Sequence, residues 1–194
     1  MASQLSVVND CLAIMGEAPL NTLAEDHAFK SAAINALTRI TNTILSKGWW
    51  FNMETLELST NPTDLRIYLP NDVGTVLPSH SNVNVVQRGR VLYDLDRGTD
   101  RFDVGFTLTV RLTRTLALED IPASVSDLIA AKTVLDFQQL YDGDQTKTRN
   151  LIIEVAGLNT LANSEHIRNR RVNLIDTSAR LNRIRNVINT SRTL

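Results

Sequence analysis

The chain has 194 residues, of which 43% are hydrophobic and 21% charged, and its formal net charge at pH 7 is −1. This composition is typical of a soluble globular domain with a core of its own. No apolar run reaches the roughly 18 residues of a membrane span, and the opening MASQLSVVND is unlike a secretory leader. The single cysteine, Cys11, excludes an internal disulfide.

The charge is distributed unevenly along the chain. Residues 166–194 carry seven arginines and one acidic residue, Asp176, whereas the rest has 13 basic and 20 acidic residues. An acidic body therefore ends in a basic tail. Such a tail suits nucleic acid or an acidic protein surface, and a plain solvated terminus is the alternative.

Two helices are predicted in the first fifty residues, at 3–16 and 27–47. Each has an apolar stripe at spacings of three and four. Gly16 and Pro19 end the first helix, Asp26 is the expected N-cap of the second, and Gly48 follows its end. The stripe residues are Leu5, Val8, Leu12 and Met15 in the first helix, and Phe29, Ala33, Leu37, Ile40 and Ile44 in the second.

Short strands are predicted between Phe51 and Leu112. Apolar and polar residues alternate with a period of two over 106–112. Residues 83–94 predict a hairpin that turns near Gly89, and 65–69 a shorter strand ended by Pro70. Residues 71–82 are rich in turn formers, so we expect a surface loop there.

Helical periodicity returns at Pro122, the expected first residue of a third helix, and Asp144 is the expected cap of a fourth. Beyond about Arg170 apolar residues are sparse, so we expect an extended arm with a short helical piece at 178–188. The predicted inward residues are Val125, Leu128, Ile129, Leu135 and Leu140 in the third helix, and Leu151, Ile152, Val155, Leu158, Leu161 and Ala162 in the fourth.

The predicted fold class is therefore α+β. It is an antiparallel helical bundle of about four helices, with a β-rich insertion between helices two and three and an extended C-terminal arm. The expected boundaries are 1–50 and 119–168 for the bundle, 51–118 for the insertion and 169–194 for the basic arm.

Motifs for catalysis are absent from the sequence. His27, His80 and His166 fall in different elements, and there is no phosphate-binding glycine loop, nucleophile elbow or zinc cluster. Cys11 lies on an apolar helix face, so it is expected to be a core residue. We therefore predict a protein that is not an enzyme and has no catalytic residues, cofactor or metal.

One acidic stretch, DLDRGTDRFD at 94–103, resembles a calcium-binding loop in composition. Its register is wrong, because Gly98 takes the fifth place and Gly105 the twelfth, where oxygen ligands belong. Arg97 and Arg101 are interleaved with the acids. We therefore expect the charges to pair with one another.

Several stretches together resemble one known family, the head-to-tail adaptor of short-tailed bacteriophages, also called tail tubular protein A or the gatekeeper. A VND-x-L-x-x-x-G-x-x-P opening followed by a helix that ends in GW-x-FN is specific in combination. The similarity extends to about residue 140. The stretches that carry it are SQLSVVNDCLAIMGEAPLNTL (3–23), SKGWWFN (46–52), RGRVLYD (88–94) and DRFDVG (100–105).

The resemblance implies a structural role in the virion tail. Family members form a dodecameric ring below the portal protein, continue the DNA channel, and support the nozzle protein, tail tubular protein B, and tail fibres or spikes. DNA would pass through without sequence-specific binding, and no membrane is involved. We expect the arm to dock onto the portal through Arg168, Arg170, Arg171, Ile175, Arg180, Arg183 and Arg185.

Both tryptophans lie in LSKGWWFNME (45–54), directly after a glycine. Gly48, Trp49, Trp50 and Phe51 are predicted to be the joint between bundle and insertion, where large rings fix two parts relative to each other. Neighbours on an extended segment point to opposite sides, so at most one tryptophan should enter the core. Trp49 matches the family's GW motif and is expected to be the buried one.

Two alternatives remain open from the sequence. The basic arm could make the chain a DNA-binding module, although aromatic residues for base stacking are absent from it. A polysaccharide hydrolase associated with the tail is the other, since paired carboxylates cannot be located from sequence alone.

Overall fold

A computed structural model describes residues 2–78 and 83–170 of the chain. Within them the chain forms four α-helices, five strands and a short 3-10 helix, so the fold is α+β. The helices are α1 (Gln4–Ile14), α2 (Lys30–Leu45), α3 (Ala123–Tyr141) and α4 (Gln145–Asn169). The strands, all between α2 and α3 in the chain, are β1 (Met53–Ser59), β2 (Val73–Pro78), β3 (Val85–Arg88), β4 (Val91–Asp94) and β5 (Thr107–Arg114).

Side-chain caps define where two of the helices begin. Ser3 and Ser6 exchange hydrogen bonds in a capping box at the start of α1. The Asp144 carboxylate accepts the backbone N–H groups of the first turn of α4, as predicted. The prediction of Asp26 as a cap is wrong. Helix α2 begins later, at Lys30, because His27 Nδ1 accepts the N–H of Phe29 and holds a turn before it.

Apolar side chains of all four helices meet in one buried cluster, which includes Val7 of α1, Leu37 of α2, Leu128 of α3 and Ala162 of α4. A second cluster, around Phe137 of α3, joins α1, α2 and α3. Helix α3 contributes to both clusters and therefore occupies the centre of the helical region.

Three predicted core residues are exposed. Leu140 is 63% exposed, Ile152 49% and Leu161 51%. In α3 the buried side chains end at Phe137 and Gln138, and Leu140 lies beyond them in the last turn of the helix. Helix α4 packs mainly against α3, and a contact with one neighbour buries only a narrow stripe. The rest of its apolar surface remains open to solvent.

The strands form two antiparallel sheets, a three-stranded sheet with the order β1-β5-β2 and the β3-β4 hairpin. The hairpin and the alternating strand β5 confirm the predictions for 83–94 and 106–112. Leu108, Val110 and Leu112 of β5 point into a core that also contains Leu92 and Phe102. The β region therefore has an apolar centre of its own.

Two predictions for the β region are wrong. Residues 73–78 form strand β2 on the edge of the sheet, where a loop was expected; 79–82 lie outside the described residues. Gly74 fits there because a side-chain carbon would lie 3.0 Å from Thr113 Oγ1. Residues 65–69 form no strand, only a single bridge between Tyr68 and Val91. Leu65, with φ at +62°, bends the chain before it.

Candidate functional site at the tryptophan turn and the end of helix α4

Helix α2 ends in a segment that we call the tryptophan turn, residues 48–52. Gly48 begins it with φ at +78°, and its N–H donates to Leu45 O at 3.1 Å. A side-chain carbon there would lie 3.0 Å from Met53 Sδ and 3.3 Å from Thr113 Cγ2. Backbone conformation and space therefore both select glycine.

The prediction of an extended segment after Gly48 is wrong, because residues 50–52 form a turn. Asn52 is the cause. Its side chain is 2% exposed, and its Oδ1 accepts the Trp49 N–H at 2.7 Å. Its Nδ2 donates to Leu45 O at 3.0 Å and to Arg114 O at 2.9 Å. One buried amide thus joins the end of α2, the turn and the end of β5.

Trp49 is the buried member of the tryptophan pair, as predicted, with 1% of its surface exposed. Its Nε1–H donates to Ile44 O at 2.8 Å, which satisfies the one polar atom of the ring. Trp50 is half-buried and meets Trp49 edge to face, with ring centroids 6.1 Å apart. Phe51 stacks on Trp49 at 6.5 Å.

The last turns of α4 pack onto this aromatic group through His166. Its ring centroid lies 5.4 Å from that of Trp49 and 6.0 Å from that of Trp50. Burial lowers the pKa of His166, and the positive charges of Arg170 and Lys47 act in the same direction. These effects favour the neutral imidazole, which packs against the two indole rings.

The arm residues begin beside the same turn. Arg168 and Arg170 are exposed at the end of α4, and Arg170 and Trp50 line one shallow cleft. One residue of each predicted set, Trp50 and Arg170, therefore lies at this cleft, although the two are far apart in the chain. The arm residues that lie outside the described residues are Arg171, Ile175, Arg180, Arg183 and Arg185.

Sequence reasoning missed Asn52 and His166. Asn52 stands in the GW-x-FN motif, and its position directly after a helix end and before a strand is a pattern that could have found it. His166 gives no such indication. Its role depends on α4 returning across the turn, a contact that periodicity within α4 does not reveal.

The acidic stretch 94–103 pairs with itself only in part, through Arg97, whereas Asp100 pairs with Arg66 from outside the stretch. Arg97 Nη1 lies 3.0 Å from Asp103 Oδ2, and Arg66 Nε 2.7 Å from Asp100 Oδ2. Asp94 accepts backbone N–H groups of its own loop. Among residues 2–78 and 83–170, histidine, cysteine and acidic side chains form no group of three or more that could hold a metal ion. The described helices also include none that is long and apolar enough to cross a bilayer.

Comparison with known proteins gives the chain its family. The sequence model of the family described as "Tail tubular protein" matches residues 5–172. The chain is also 27% identical to "Tail tubular protein A" of Klebsiella phage KP34 over 169 residues, which cover 87% of this chain and 89% of that protein. The chain therefore belongs to the tail tubular protein family, the structural proteins of phage tails.

Proposed function

We propose that the chain is a ring-forming head-to-tail adaptor of a phage. In this role it joins the portal protein to the nozzle protein, continues the DNA channel and anchors tail fibres or spikes. The observation that carries the proposal is the family match from residue 5 to residue 172, which spans the helices and both sheets. The action is binding and ring closure without chemical turnover.

The proposed architecture is an antiparallel helical bundle, 1–50 and 119–168, with a β-rich insertion at 51–118. Two features support it. All five strands lie between α2 and α3 in the chain, and the helices share one apolar cluster. The tryptophan turn is then the joint between the two parts. Trp49 and Asn52 both donate hydrogen bonds to the end of α2, and Asn52 also donates one to Arg114 O at the end of β5.

The arm, 169–194, is proposed to dock onto the portal. Its arginine content supports this, as does its defined starting point, where His166 fixes the end of α4 against the tryptophans. Deletion of 171–194 should abolish portal binding while the melting temperature stays unchanged. A full-length variant with Arg180, Arg183 and Arg185 changed to Gln should bind the portal more weakly than wild type. Unchanged binding by the deletion variant would contradict the proposal.

The β-rich insertion is proposed to face the tail and contribute to the nozzle or fibre contact. The motive is that all five strands lie between α2 and α3 in the chain and share an apolar core of their own, which gives the chain a second surface for a second partner. Cryo-electron microscopy of the virion should find 83–112 on the nozzle side. Density for this segment against the portal would reverse the orientation.

Native mass spectrometry of the full-length protein, alone and then mixed with portal, tests the function directly. The expected result is a ring of twelve copies bound to the portal. Duplex DNA titrated at two salt concentrations provides the counter-test. Affinity in the micromolar range or tighter that falls steeply with salt would favour a DNA-binding module instead.

A further inference from the structure

Helices α1 and α4 both pack on α3 but scarcely on each other, which leaves an open groove between them. The groove encloses about 800 Å³. Helix α3 forms its floor with Ala131 and Val134, Ala13 lies on the α1 wall, and Leu151 and Leu158 on the α4 wall. Leu151 and Leu158 are separated by two turns of helix, so the groove is about 10 Å long or more. It is shaped to receive another helix.

Each side of the groove also carries a carboxylate: Asp10 on α1, Asp127 on α3 and Glu154 on α4. None of the three forms an ion pair with any residue in the described parts of the chain. The walls remove part of the water around Asp10, and this burial raises the pKa of its carboxyl. The groove therefore favours an occupant that is apolar and positively charged.

The opposite face of α4 has these two properties. Its residues recur at spacings of three and four, and all are exposed, with Ile153 64% and Ile167 71% exposed. The face has a basic residue and no acidic one. Its members, which we call the outer face of α4, are Arg149, Ile153, Ala156, Thr160, Ser164 and Ile167.

We propose that the groove of one copy receives the outer face of α4 from a second copy of this chain. The two surfaces complement each other in charge and in apolar character, because the groove is acidic and the outer face of α4 is basic. The small residues Ala156, Thr160 and Ser164 let the helix approach closely. Since the two surfaces differ, each copy uses its groove with one neighbour and its outer face with the other.

Such a contact is head-to-tail, and its repetition around an axis closes a ring. The inference rests on the proposed adaptor function and adds the surfaces through which neighbouring subunits meet. An isologous dimer would need the same patch on both copies. The groove and the outer face are not self-complementary, because each has charge of one sign.

Disulfide crosslinking of the full-length protein tests the contact. Ala13→Cys lies on the groove wall and Ile153→Cys on the outer face, both at exposed positions. The native thiol does not interfere, because burial raises the pKa of Cys11 to about 12. Under mild oxidation the double variant should form a ladder of dimers, trimers and longer products. Each single variant should remain uncrosslinked.

Other occupants give other patterns. Dimers from Ile153→Cys alone would mean that two outer faces meet each other. The absence of any crosslinked product from the double variant, at concentrations where wild type assembles, would mean that something else covers the groove. Either result overturns the proposal.

A charge-reversal cycle provides a second measurement. Asp127→Arg and Arg149→Glu should each weaken self-association about tenfold in sedimentation experiments, and the double reversal should restore it. Ile153→Asp should weaken it further, whereas Val104→Asp, at a residue 78% exposed outside both surfaces, should not. Additive losses in the double reversal would overturn the pairing.

Failure here is distinguishable from failure of the adaptor function. If wild type forms rings with portal but the cysteine pair forms no ladder, the adaptor stands and these surfaces are wrong. If wild type forms no ring with portal, the adaptor function fails, whatever the crosslinks show.

Discussion

The helical region and the β region are stabilised by different means. In the helical region the buried side chains are largely apolar, and α3 touches both clusters. The β region has a smaller apolar core and a set of arginine–carboxylate pairs around it. These pairs join Arg66 to Asp100, Arg97 to Asp94 and Asp103, and Arg114 to Glu54 and Asp72.

This difference indicates which substitutions should lower the stability of the protein most. Ion pairs exposed to solvent contribute little, because water and salt screen them, whereas each large buried apolar side chain contributes several kcal/mol. The β region therefore depends for its placement on what connects it to the helices. In the proposed architecture that connection is the tryptophan turn, where the apolar cluster and the polar network meet at Trp49 and Asn52.

The largest effect should come from removing the buried ring. Trp49→Ala should lower the free energy of unfolding by about 3–5 kcal/mol, because it leaves a cavity and removes the indole hydrogen bond to Ile44 O. Chemical denaturation measures this loss. Trp50→Ala, at the half-buried neighbour, should cost only about 1 kcal/mol. Equal losses would mean that burial at the turn is not what distinguishes the two rings.

Removing the polar link should have the next largest effect. Asn52→Ala leaves the buried Trp49 N–H without its acceptor and removes the amide hydrogen bonds to Leu45 O and Arg114 O, so we expect a loss of about 2–3 kcal/mol in the free energy of unfolding. Asn163→Ala is the matched control, since its amide hydrogen bonds are exposed. The control should cost less than about 0.5 kcal/mol. A similar loss in both variants would mean that the buried amide of Asn52 does not stabilise the connection between the two regions.

Gly48→Ala tests how tightly the turn approaches the sheet. Gly143 also has a positive φ, +69°, but nothing lies within 4 Å of an added carbon there. Gly143→Ala should therefore show only the backbone strain, about 1 kcal/mol. Gly48→Ala adds the contacts with Met53 and Thr113 and should cost about 2 kcal/mol. If thermal denaturation finds no difference, the turn can move away from the sheet.

The features that the sequence predicted well are those encoded locally. The periodicity of β5, the cap at Asp144 and the glycine after α2 each depend on a few neighbouring residues. The prediction of Asp26 as the cap is wrong because His27 Nδ1 accepts a hydrogen bond from the N–H of Phe29, the residue just before the helix. Strand β2 was missed because pairing with β5 outweighed its turn-forming residues.

The errors in the helices have one physical cause. Apolar spacing shows that a helix has apolar faces, but it does not show how many neighbours will cover them. Spacing alone places Ile152 and Leu161 in the core, whereas the packing of α4 mainly on α3 leaves them exposed. The contact of His166 with the tryptophans was beyond the sequence for the same reason.

The smallest expected effect is on the pH dependence of stability, and it tests whether the end of α4 is held against the tryptophan turn. Burial lowers the pKa of His166 below its ordinary value of 6.5, so the unfolded chain takes up this proton at a higher pH than the folded one. The contribution of the neutral imidazole to stability is therefore complete well above pH 6.5. It decreases as the pH falls through 6.5 towards the folded-state value.

His166→Gln should remove that part of the pH dependence, and His27→Gln should retain it. Urea denaturation of wild type and both variants at about pH 7.5 and about pH 5.5 measures the difference. The wild-type protein should lose more stability between the two pH values than His166→Gln does. Parallel losses would mean that the ring titrates as freely as in the unfolded chain. The end of α4 would then not be held against the tryptophans, and the start of the arm would lose its fixed position.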